Sequence, residues 1–122
     1  MFGETARSRD ALLDTARKAE DSGYATFLIR DHLIAEPFGH QLAPLTALAT
    51  VAAATNTLRV GSLVLANDYR HPVILAKEVA TLDVLSNGRV ELGLHRRNMI
   101  KLACGLTHQA CGLNVSKRPF WY

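Results

Sequence analysis

A parallel α/β fold is what this 122-residue sequence predicts. Three features carry that expectation. Helix-like and strand-like periodicities alternate from residue 8 to residue 94. The connections between the strand-like runs are long enough to hold a helix, as parallel neighbours require. The stretch from 58 to 94, LRVGSLVLANDYRHPVILAKEVATLDVLSNGRVELGL, reads as one complete strand–helix–strand unit.

The elements follow in order. Ser8 suits the N-cap of a first helix, which carries Leu12, Leu13, Ala16 and Ala19 on one face and closes at Gly23. Ala25–Arg30 (ATFLIR) is the first strand and runs straight into Asp31-His32-Leu33, with a loop containing Pro37 and Gly39 behind it. Pro44 opens a second helix, Leu45–Ala54, ending near Asn56; its small side chains allow close approach to a sheet. Leu58–Ala66 is apolar enough for a strand buried on both faces. Asn67-Asp68 break that strand, and Pro72 sits in the first turn of a third helix, where its missing N–H is tolerated. Ile74, Leu75, Val79, Leu82 and Leu85 recur there at helical spacing, and Asn87-Gly88 end the helix. Arg89–Leu94 resumes a strand. Sheets of this kind bind ligands beyond the carboxyl ends of their strands, which here means after Arg30, after Ala66 and after Leu94.

Composition divides the chain in two. Residues 1–94 carry nine Lys/Arg against eleven Asp/Glu, whereas residues 95–122 carry five basic residues and no acidic one. The five charges form neither a run nor an arginine-rich arm, so nucleic acid is not an expected partner. No apolar run approaches the roughly 20 residues of a membrane helix, and MFGETARSRD has no signal core, which leads to the expectation of a cytoplasmic protein. Two cysteines do not make a disulfide framework. His95, Cys104, His108 and Cys111 lack the spacing of a familiar zinc finger, so no metal is expected and buried thiols are the preferred reading. Met99, Leu102, Ala103, Leu106, Ala110 and Leu113 fall three or four apart, predicting an amphipathic helix near 99–113 weakened by Gly105 and Gly112. Pro119–Tyr122 would form an apolar end suited to a partner surface.

GYATFLIRDHL and the 58–94 segment, with their spacing, resemble the bacterial luciferase-like family, with its coenzyme F420-dependent oxidoreductases as the nearest branch. The His-Pro before the third helix and the LSNGR before the next strand are the more specific part; an isolated Asp-His carries little. The resemblance implies a (β/α)8 TIM barrel that binds F420 (alternatively FMN) at its C-terminal mouth and transfers a hydride at the cofactor ring. This chain would be part of one, with a partial barrel domain at 1–94, strands near 25–30, 58–66 and 89–94, and a divergent tail at 95–122. Carried over residue by residue, Asp31 corresponds to a cofactor contact and His32 to a residue of proton transfer or charge stabilisation. Leu63, Val64 and Ala66 correspond to the end of the third barrel strand, where a non-prolyl cis peptide can form a bulge behind the ring. Gly93 corresponds to the glycine ending the fourth. From the residues alone, Asp31 as a turn cap and His32 as an ordinary loop residue is the favoured reading, with a catalytic role as the alternative; the resemblance reverses that order for ancestry.

Two departures from the family pattern shape the expectations further. The strand before the first helix has only Met1-Phe2-Gly3 as its counterpart, and a glycine-rich turn after Leu94 is replaced by His95-Arg96-Arg97-Asn98. A frame shift or truncation at His95 would account for the second, and it implies weak or absent activity. The alternative function is a non-catalytic α/β fragment that forms homo-oligomers through open sheet edges or docks on a homologue; the oxidoreductase would instead take a small-molecule substrate.

Overall fold

The computed structural model describes residues 8–33, 39–95 and 111–113. Helix α1 (Arg9–Asp21) leads to strand β1 (Thr26–Ile29), α2 (Pro44–Ala54), β2 (Arg59–Ala66), a 3-10 turn (Asn67–Tyr69), α3 (Pro72–Leu85), β3 (Val90–His95) and β4 (Cys111–Leu113). The sheet order is β1-β2-β3-β4. β1 pairs parallel with β2 and β2 parallel with β3, so the predicted α/β alternation and strand sense hold. Successive parallel strands joined by helices make two strand–helix–strand units.

Local chemistry sets the boundaries. The Ser8 hydroxyl accepts the Ala11 N–H at 3.2 Å, capping α1. Pro44 and Pro72 each occupy the first helical turn of their helix. At the far end of α3, Asn87 and Gly88 take φ values of 57° and 76°, a left-handed pair that reverses the chain into β3.

One face of the sheet carries the core. Phe27, Val60 and Val90 stand in register across β1, β2 and β3 and are buried together. They pack under Leu12, Ala16 and Ala19 of α1, Leu48 and Val51 of α2, and Leu75, Val79 and Leu82 of α3. The alanines of α1 and α2 let the helix backbones come close to the strands. Arg89 locks this layer from its N-terminal end. Its guanidinium donates to the Ala52 carbonyl (2.7 Å) in the last turn of α2 and to the Leu58 carbonyl (2.8 Å), while Nε reaches the Ser86 carbonyl (2.7 Å).

Three expectations are corrected. Burial of the Leu58–Ala66 strand on both faces does not occur: Arg59 and Glu91 of the opposite face form a half-exposed ion pair at 2.9 Å, and Leu63 is 44% exposed. The described helices all pack on the core side of the sheet. On α3, Ile74 and Leu85 point outward, because the Leu75–Val79–Leu82 stripe already faces the sheet. The helix expected near 99–113 does not reach its end: Cys111–Leu113 are extended and pair antiparallel with Leu92–Leu94. A strand edge with unpaired N–H and C=O groups recruits extended chain more strongly than a stretch with glycines at 105 and 112 holds a helix. The remainder of that expected helix, and Pro119–Tyr122, lie outside the described residues, as do Cys104 and His108.

Candidate functional site

The carboxyl ends of the parallel strands gather on one rim. β1 ends at Ile29 opposite Ser62, so β2 extends four residues beyond the last paired position of its neighbour. Over that overhang the register of β2 against β3 shifts. Ser62 pairs with Leu92 and Leu65 with Leu94, so β2 spends three steps where β3 spends two. The extra residue is a bulge, and it contains a non-prolyl cis peptide at Leu63–Val64. Both Ser62 and Leu65 can thereby face the helices, buried at 3% and 0% exposure.

Gly93 shows what the bulge demands of β3. A Cβ on Gly93 would sit 2.6 Å from the Ser62 carbonyl oxygen and 3.3 Å from a Val64 methyl. The Ser62 hydroxyl donates to the Gly93 carbonyl at 3.0 Å, closing the two strands on each other. Gly93 is therefore required by close backbone approach inside the sheet.

Asp31 binds the rim together. Its Oδ2 accepts the Ala66 N–H at 2.9 Å, crossing from the end of β1 to the end of β2. Arg70 grips the same carboxylate with both guanidinium nitrogens, Nη1 on Oδ2 and Nη2 on Oδ1, the latter at 3.2 Å. Nη1 also donates to the Ala66 carbonyl at 3.1 Å. The Asp31 side chain is 4% exposed, and Arg70 is largely buried over it. This two-pronged geometry suits a planar guanidinium and is beyond a lysine.

Of the residues singled out from sequence, Asp31, Leu63, Val64 and Ala66 thus lie on one rim with Gly93 behind the bulge, and half-buried His32 follows Asp31 directly. Ala66 and His95 stand opposite each other at the ends of β2 and β3. Arg70 escaped the sequence reading. It belongs to neither the strand nor the helix periodicity, and a lone arginine in a strand–helix loop has no signature of its partner 39 residues away. Among the described residues no group of three or more His, Cys, Asp and Glu side chains is placed to hold a metal ion. No described helix is long and apolar enough to cross a membrane.

The luciferase-like monooxygenase family profile matches residues 2–98. The chain belongs to that family. Among curated relatives of this luciferase-like chain, the F420-dependent hydroxymycolic acid dehydrogenase of Mycobacterium tuberculosis is 37% identical over 90 residues, covering 70% of this chain and 24% of the relative. The solved structure of apo-MsnO8 superposes with a TM-score of 0.68 at 35% identity, over 80% of this chain and 29% of its own. The coenzyme F420 dependent tetrahydromethanopterin reductase of Methanopyrus kandleri gives 0.64 at 26% identity, over 77% and 25% respectively. This luciferase-like chain spans about a quarter of the length of the curated relatives it matches.

Proposed function

We propose that this chain forms part of the cofactor-facing wall of an F420-dependent, alternatively FMN-dependent, oxidoreductase acting on a small-molecule substrate. The barrel-wall domain would comprise residues 1–94, with 95–122 as a basic tail. The observation that carries the reading is the shared rim, where Asp31 from β1 bonds to Ala66 at the end of β2 beside an uncovered sheet face.

The residues present fit a planar ring system. Half-exposed Leu63 offers an apolar contact next to the bulge, on the same face as the Arg59–Glu91 ion pair. F420 or FMN, when bound, supplies the ring atom that gives or takes the hydride. Leu63, Val64, Ala66 and Gly93 would hold it at the end of β2, with Asp31 beside them. His32, next to Asp31, would be the residue that holds or supplies a proton to the substrate.

Titration of the chain with FMN and with F420, followed by absorbance and fluorescence, tests this. Saturable binding of one of them, weakened in His32→Ala, is expected. A second reading, a non-catalytic fragment that self-associates, draws on the outer edge of β1, which no described strand pairs. Failure to bind either cofactor, together with a concentration-dependent dimer in sedimentation, would favour it.

A further inference from the structure

We infer that Arg70 and Asp31 act as a positioning clamp that sets the backbone of Ala66, and that Asp31 serves the site through Ala66 rather than by touching the cofactor. This rests on the cofactor reading above.

The reason lies in the overhang of β2. Past Ser62, β2 has no strand on its β1 side, because β1 stops at Ile29. The N–H and C=O that Ala66 turns toward that side would be orphaned at a partly buried position. The Asp31 carboxylate takes the N–H and the Arg70 guanidinium takes the C=O, while the two side chains hold each other. Together they stand in for the missing strand residue. The carboxylate uses both oxygens on the chain itself, and its 4% exposure leaves no open side for a ligand. Each terminal nitrogen of the guanidinium is bonded to the chain itself, Nη1 to Asp31 and the Ala66 carbonyl and Nη2 to Asp31. What the pair controls is where Ala66, the last residue of the bulged strand, presents its face at the rim.

The clamp is tested by Arg70→Met, Arg70→Lys, Asp31→Asn and the double variant Asp31→Asn/Arg70→Met in the full chain. Amide hydrogen exchange is read at Ala66 with Val60, in the middle of β2, as the internal reference; FMN and F420 dissociation constants are measured in parallel. Loss of a charge-assisted bond predicts exchange at Ala66 faster by about tenfold in Arg70→Met, with Val60 unchanged. Arg70→Lys restores part of the protection, and the double variant is no worse than the worse single one, because both act on one backbone group. Cofactor affinity falls in step with Ala66 exchange across the series. Unchanged Ala66 exchange in Arg70→Met would overturn the clamp. So would a steeply salt-dependent loss of cofactor affinity with Ala66 still protected, since Arg70 would then be meeting the ligand directly. If the unaltered chain binds neither cofactor, the oxidoreductase reading fails, yet the exchange measurement still decides whether the clamp exists.

Discussion

Glu20 accepts four hydrogen bonds away from the rim, and replacing it makes a sharp test of how this sheet is anchored. Its Oε1 accepts the backbone N–H groups of Asn56 (2.8 Å), Thr57 (2.6 Å) and Leu58 (3.0 Å), and the Thr57 hydroxyl (3.0 Å). One carboxylate oxygen at the end of α1 thus holds the turn that feeds β2. The hydrogen bond from the Thr57 backbone contributes most to lowering its pKa from 4.5 to about 2, against a smaller opposing cost of desolvation. Charge-assisted bonds contribute about 1.5–3 kcal/mol when enclosed; for a carboxylate at the surface, whose donors can turn to water, about 1 kcal/mol is a fair share of that. Glu20→Gln keeps an acceptor and loses the charge, so the urea midpoint at pH 7 is expected to fall by roughly 0.7 M, taking a slope of about 1.4 kcal/mol per molar. The sign with pH follows from the direction of the shift. A carboxylate held below its ordinary value stabilises the fold above pH 4.5, and that contribution drains away as pH falls toward about 2. The difference between wild type and Glu20→Gln, read by far-ultraviolet circular dichroism in urea, therefore shrinks toward zero on acidification. Equal midpoints at pH 7, or a difference that persists to pH 2, would refute the reasoning.

Other substitutions probe the same physics elsewhere. Arg89→Met leaves the Ala52, Leu58 and Ser86 carbonyls without their shared donor and should cost about 2–3 kcal/mol in urea unfolding. Gly93→Ala drives a methyl against the Ser62 carbonyl, so the strands must part, with an expected loss of about 1–3 kcal/mol and faster amide exchange along β2 and β3. Leu65→Ala empties a fully buried position beneath the bulge and should lower stability by about 2–5 kcal/mol in the same assay. His32→Ala is expected to weaken FMN or F420 binding by more than it lowers the unfolding free energy in urea, a loss of about 1 kcal/mol or less; equal losses in both would assign His32 to folding alone.

The sequence by itself determined the order and kind of the main elements, because these are set by short-range rules. Ser8, Pro44, Pro72 and the Asn87-Gly88 pair act within a turn of where they stand, and the Leu12–Ala19 face follows from helical spacing alone. The likeness of GYATFLIRDHL and the 58–94 segment to a known family extended that to the rim and to the bulge at Leu63–Val64. Only the tertiary structure decided what the rim residues do. Asp31 meets Arg70 across 39 positions and Glu20 meets Thr57 across 37, and nothing in local periodicity encodes such a pairing. The outward turn of Ile74 and Leu85 and the strand at Cys111–Leu113 were likewise settled by which surfaces were already covered and which edge stood open. Hydrogen-bonding groups at the end of a strand must find partners, and which side chain answers depends on what the fold brings within reach.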